Sequence, residues 1–297
     1  MLSPLLFLVV LDWVTRTAYA SSEKGIQWTL LRKLEDLEFA DDLALLSHCL
    51  QDIQDKVNAL KETAQRVGLT ISQEKTKLLR TNNMQEAPAI EGSVVKDVDE
   101  FVYLGSKISK TGGTDEDVTA RIKKAQQAFA ILRPVWKLTA ISTITKFRVF
   151  NSNVKAVLLY GAETWKVTNS ISRKIQTFIN KCLRRVLLLK WYDRVPNTDL
   201  WSRANQEPIA VQVRRRKWRW IGHTLRKEPS NITRQALEWN PQGKRKRGRP
   251  KQTWKRSLDS ELQVVNLTWE APKVQVKDRR RWKMTVQALC STRSEED

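Results

Sequence analysis

Two aspartates stand side by side at Asp41 and Asp42, between two short apolar-bearing runs, Leu34 to Phe39 and Leu43 to Ser47. The pattern predicts a β-hairpin with both carboxylates at its turn. Adjacent carboxylates repel each other unless a divalent cation compensates them, and phosphoryl transfer uses such pairs to hold Mg²⁺ against the reacting oxygens. Asp-Asp also occurs at turns for its affinity for solvent, so the dipeptide alone leaves both readings open.

The other candidates are basic. The chain carries 53 Lys and Arg against 32 Asp and Glu, a formal charge of +21. Residues 1–100 hold 11 basic and 16 acidic side chains, 101–200 hold 18 and 6, and 201–297 hold 24 and 10. Cations concentrated behind an acidic segment predict a polyanionic partner bound in a salt-dependent way, nucleic acid first. An anionic membrane surface is the competing partner, disfavoured because Trp is interleaved with the cations rather than set on one amphipathic face. Arg214, Arg215, Arg216, Lys217, Trp218 and Arg219 alternate charge with indole, as a stacking and phosphate-binding helix would, or as an amphipathic helix with Trp in a core. Lys244, Arg245, Lys246, Arg247, Arg249 and Lys251 form a turn-prone tract. Its Arg247-Gly248-Arg249-Pro250 centre suits the narrow minor groove of A·T-rich DNA, and nuclear import is a compatible second use.

Three cysteines and two histidines are too few and too dispersed for a disulfide framework or a zinc site. The run Leu5 to Leu11, with Ala18-Tyr19-Ala20 behind it, looks like a secretion signal. It lacks a positive leading segment, ends at Asp12 and is about half the length of a membrane span. The expectation is an intracellular protein, nuclear or cytoplasmic, neither secreted nor membrane-bound.

The elements that must position these residues follow from periodicity. Leu5 to Thr17 predicts a buried helix. Leu50, Ile53, Val57, Leu60, Ala64 and Val67 mark an amphipathic helix closed by Gly68. Leu69 to Arg80 and Phe101 to Ile108 predict strands, the second broken at Gly105. A capping-box-like start at Thr114 opens a helix running to Pro134; Ser142 to Tyr160, ended by Gly161, and Ile171 to Leu189 give two more. The fold class is α+β, with expected domains 1–112, 113–200 and 201–297 and a flexible tract at 240–252.

Phe39-Ala40-Asp41-Asp42, followed by Leu43-Ala44-Leu45-Leu46-Ser47, resembles the catalytic hairpin of retroelement reverse transcriptases. In the same order, Leu2 to Phe7 with Leu11-Asp12 resembles the end of that family's template-contacting helix. Gly68 to Lys77 resembles the motif after the hairpin, and Phe101-Val102-Tyr103-Leu104-Gly105 its primer-grip hairpin. Tyr160 to Trp165, Lys217 to His223 and Gly243 to Trp254 are similar to the C-terminal region of LINE-type elements.

The resemblance covers essentially the whole chain, and it implies an incomplete palm, a helical thumb over 113–200 and a basic C-terminal region. It also implies RNA-directed DNA synthesis with Mg²⁺ on Asp41 and Asp42, and Tyr103, Leu104 and Gly105 as primer grip. Lys75 resembles a lysine that protonates the leaving pyrophosphate, with a solvated strand-end lysine as the other reading. The implied partners are an RNA template and a target or primer DNA, with dNTP the one small-molecule substrate. The family's site needs three carboxylates, and the first lies upstream of the motif that Met1 interrupts, as do fingers and endonuclease. The expectation is therefore a reverse transcriptase fragment inactive by itself; the alternative is a non-catalytic DNA- or RNA-binding protein derived from such an element.

Overall fold

The computed structural model describes residues 3–20, 22–80, 89–90, 92–240 and 253–291. They form two compact units, one of 1–112 with Trp239, the other of 113–238 with the segment from 253 onward.

The first unit begins with helix α1 (Ser3–Tyr19), strands β1 (Ile26–Gln27) and β2 (Lys33–Leu34), the hairpin β3 (Asp36–Phe39) and β4 (Asp42–Leu45), and helix α2 (Leu50–Arg66). Short strands follow: β5 (Lys77–Leu78), β6 (Ala89–Ile90), β7 (Ser93–Val94), β8 (Lys96–Asp97), β9 (Glu100–Tyr103) and β10 (Ser106–Ser109). Among the described residues every sheet is two-stranded; β5 and β8 pair in parallel and the other pairs are antiparallel. Helix α2 organises the unit. Its apolar stripe is shared between a cluster of Val14, Leu60 and Ala64 and another of Val57, Ile90 and Val95. It ends as the sequence predicts. Gly68, at φ 76, gives its N–H to Gln65 and Leu69 gives its own to Ala64, the paired bonds of a Schellman closure.

Three expectations change here. Helix α1 forms but buries only Val14 and Thr15, leaving Leu5, Leu6, Val9 and Trp13 exposed. Its run is apolar all round, and among the described residues it packs on the side toward α2. Leu69 to Arg80 is not a strand; Gln73 to Lys75 turn, Thr76 N–H bonds back to Ser72, and only Lys77–Leu78 pair. The break at Gly105 is instead a hairpin turn between β9 and β10.

The second unit is helical: α3 (Asp115–Ile131), α4 (Arg133–Lys137), α5 (Thr143–Val149), a π turn (Phe150–Lys155) continuing into α6 (Ala156–Leu158), and α7 (Asn169–Val186). Then come α8 (Asn197–Ala204), α9 (Ile209–Leu225), α10 (Ile232–Ala236), α11 (Trp254–Val264), α12 (Glu270–Gln275) and α13 (Arg279–Ser291). Ser142 and Thr168 cap α5 and α7 through their hydroxyls. Thr114 does not make the expected capping box; its hydroxyl bonds the Lys166 carbonyl at 3.3 Å. One core gathers Phe129, Trp136, Phe150, Leu158, Ile175 and Leu183, and a second gathers Trp218, Ile221, Leu258, Leu262, Trp282 and Val286. Residue 200 lies inside α8, whose Leu200 and Ala204 belong to the first core. The two cores join along α9, which gives Val213 to the first and Trp218 to the second. The chain is thus α+β, and among the described residues no helix is long and apolar enough to cross a membrane.

Candidate functional site

Phe39 pairs with Asp42, so β3 and β4 are closed by the two-residue turn Ala40-Asp41. Ala40 adopts φ 53, a left-handed conformation that L residues avoid and that a tight hairpin requires of its first turn residue. Both aspartates are exposed at the tip. Along the strands Asp36 is opposite Leu45, and Glu38 opposite Leu43. The pleat therefore sets Asp36 and Glu38 on the face that Leu43 and Leu45 present to the cores, and Asp42 with Phe39 on the other. The β9–β10 hairpin is turned by Leu104 at φ 48 and Gly105 at φ 78, as a type I′ turn demands. It buttresses the first hairpin: Tyr103 donates its hydroxyl proton to the Leu37 carbonyl at 3.1 Å. Burial, then the charges of Asp42, Asp36 and Glu38, raise the Tyr103 hydroxyl pKa, so this phenol sits in a negative field.

The base of the hairpin is held by a lysine. Lys56, on α2, donates to the carbonyls of Glu35 at 3.0 Å and Leu46 at 2.7 Å and pairs with the Glu35 carboxylate. Those carbonyls flank the hairpin, whose pairing is extended by Leu46 N–H to Glu35 at 2.8 Å. Burial works to raise the Glu35 carboxyl pKa, but hydrogen bonds from Lys56, the Gly25 amide and Ser22 leave it below its ordinary value. Asp36 behaves oppositely: burial, then its hydrogen bond with Glu38 and that group's charge, push its carboxyl up to about 7. Folded chains keep this proton where unfolded chains have lost it, so the contribution is present below 3.8 and is lost as pH rises to about 7. Asp36→Asn should therefore gain in melting temperature relative to the parent as pH rises through that window. Parallel melting of the two proteins across it would show that Asp36 is already ionised.

Asp41 and Asp42 offer the hard oxygen ligands that Mg²⁺ takes. Among the described residues, however, no three His, Cys, Asp or Glu gather into a group that could hold a metal ion. The residues present do not complete a cation site. Lys75 is exposed in the 73–75 turn, and no hydrogen bond or ion pair joins it to Asp41 or Asp42.

The basic run on α9 divides. Trp218 is 0% exposed and Lys217 1%; neither can meet a ligand, and both bond the Glu261 carboxylate at 2.6 Å. This corrects the expectation that they touch nucleic acid, because their positions fall on the apolar stripe with Val213 and Ile221. Arg214 donates to the Leu289 carbonyl at 3.3 Å, Arg215 pairs with Glu207, and Arg216 with Glu163 at 3.1 Å. Arg219 is exposed with no acid at ion-pair distance among the described residues. Lys244, Arg245, Lys246, Arg247, Arg249 and Lys251 lie outside the described residues.

Tyr160 to Trp165, singled out by resemblance, is a clasp within the second unit. Arg121 lies 4.3 Å over the Tyr160 ring, Gly161 turns at φ 73, and the Glu163 carbonyl accepts the Trp254 indole N–H at 3.0 Å. Trp165, buried, donates to Asp117 at 2.8 Å. Lys56, Glu35 and Asp36 were missed by sequence reasoning. The available signal was Lys56 itself, a charge on the apolar stripe of α2 beside Ile53, Val57 and Leu60.

Residues 1–108 match the family described as reverse transcriptase (RNA-dependent DNA polymerase). Residues 128–160 match a domain of unknown function. The chain is also similar to a putative uncharacterized transposon-derived protein of Caenorhabditis elegans, 29% identical over 84% of this chain and 94% of that one.

Proposed function

We propose, starting from a chain that is a relative of retrotransposon reverse transcriptases, that it is the palm hairpin, thumb and basic C-terminal part of a LINE-type enzyme, binding template and primer without polymerising alone. The observation that carries this reading is the exposed Asp41-Asp42 tip, braced from beneath by Lys56 and from the side by Tyr103. On this reading β3–β4 is the catalytic hairpin, β9–β10 with Tyr103, Leu104 and Gly105 the primer grip, and α3–α8 the thumb. Bound Mg²⁺ would supply charge neutralisation at the reacting phosphates in the family's reaction. Asp41 and Asp42 have no third carboxylate beside them among the described residues, with Asp36 and Glu38 on the opposite face and Asp36 holding a proton near neutrality. That arrangement supports inactivity of this polypeptide by itself.

Titration of the full chain against a fluorescent single-stranded oligonucleotide tests the binding half. Affinity should fall linearly on a log–log plot against salt, with a slope of about 0.7 per phosphate neutralised. No binding at low salt would defeat the reading.

A further inference from the structure

Gly222 lets α13 approach α9 unusually closely: a methyl at Gly222 would sit 1.9 Å from the Trp282 indole nitrogen. The closeness brings two cationic stripes to the rims of one cleft. Arg215, Arg219 and His223 follow at helical spacing on α9 with Arg226 at its C-cap, and Arg279 and Lys283 face them from α13, with Trp282 and Val286 also lining the space. This cavity is about 510 Å³. A second, of about 530 Å³, shares His223, Arg226 and Arg279 with it and adds Lys227, Arg234 and Lys277. The two adjoin along these shared residues as one trough, and among the described residues neither lining includes an acid, the nearest neighbouring cavity adding Glu228 beside Arg226 and Lys227.

Arg215 and Lys273 also line the two cavities, and the acids around them pair with these two cations or with backbone. Glu207 takes Arg215, Asp278 accepts the Arg280 and Arg281 amides at 2.8 and 3.2 Å, and Glu238 and Glu270 both hold Lys273. Arg219, Lys277, Arg279 and Lys283 are exposed, and among the described residues none has an acid at ion-pair distance. Cations gathered in excess of the acids beside them repel one another, and a polyanion relieves that cost. Each cavity has the volume of a small-ligand pocket, far too small for the body of a duplex.

We propose that the α9–α13 trough is a phosphate-binding channel for one strand of nucleic acid, with Arg219, Arg279 and Lys283 on the phosphates. It rests on the nucleic-acid reading above and relocates the contact surface from the indoles of the Arg214 to Trp220 run to the outer rungs of α9 and α13.

The test uses the full chain and fluorescence anisotropy with a labelled 20-nucleotide single strand and the matching duplex, at several salt concentrations. Arg219→Glu with Lys283→Glu should weaken single-strand binding about tenfold or more and flatten the salt slope by about 1.4, two phosphates' worth. Arg66→Glu with Lys96→Glu, the same charge change in the first unit, should change it less than about threefold. Should the glutamate pair perturb folding by circular dichroism, Arg219→Gln with Lys283→Gln gives the same ranking with a smaller effect. Equal losses from both double variants, or a trough variant that binds as the parent does, overturns the proposal while leaving nucleic-acid binding intact. Loss confined to the duplex overturns it as well. A parent chain that binds neither oligonucleotide removes the broader reading and this one together.

Discussion

Glu261→Ala should cost the second unit about 3–5 kcal/mol, a large share of the stability of an ordinary domain. Glu261 Oε1 accepts the Lys217 ammonium at 2.6 Å, its Oε2 accepts the Trp218 indole N–H at 2.6 Å, and the Arg214 Nε lies 4.0 Å away. Burial pushes the Lys217 ammonium pKa down, and the Glu261 charge and hydrogen bond oppose that shift. Removing the carboxylate leaves a buried cation unpaired and an indole N–H without an acceptor, at the centre of the core where α9, α11 and α13 meet. Lys217→Met combined with Glu261→Gln removes the charge and keeps an acceptor for Trp218, so it should recover most of the loss. Urea unfolding followed by Trp fluorescence reads both. A single variant within about 1 kcal/mol of the parent would mean that water reaches Lys217.

Lys56→Met should be nearly as damaging, about 3 kcal/mol, and its damage falls on the hairpin. An ammonium has three donors, and Lys56 spends them on the Glu35 carbonyl, the Leu46 carbonyl and the Glu35 carboxylate. Methionine fills the same volume and satisfies none of these. Faster amide hydrogen exchange at Leu46 and along β4 should accompany the loss. The pH dependence follows from Glu35: its lowered pKa contributes stability above its ordinary carboxyl value that is lost as pH falls through the folded one. The variant should lose less than the parent on that acid side. Unchanged exchange at Leu46 would show that the ladder bonds alone hold the hairpin.

The hairpins and long helices were legible because their signals are local. Two apolar runs around Asp41-Asp42 and the helical spacing from Leu50 to Gly68 specify their own geometry, and the structure places both there. The stretch from Leu69 to Arg80 was not, since its alternation is that of a strand while its pairing partner has only two residues, Lys96 and Asp97, to offer. Charge misled for a related reason. Net charge counts every lysine as surface, yet Lys56, Lys146, Lys155 and Lys217 are buried, each on an otherwise apolar helix face. A lysine on an apolar stripe is a better sign of an internal clamp than of a ligand contact. The α9–α13 trough could not be read from sequence at all. Its rims come from segments some 60 residues apart, and what brings them together is the missing side chain of Gly222.

The central proposal is that this chain binds template and primer nucleic acid without polymerising alone. Primer extension by the purified full chain on an RNA template with a DNA primer, dNTPs and Mg²⁺, run beside Asp41→Ala, tests it most directly. The expected result is primer-template bound in a salt-dependent way, with extension no greater than that of the variant. Robust extension that Asp41→Ala abolishes would contradict it.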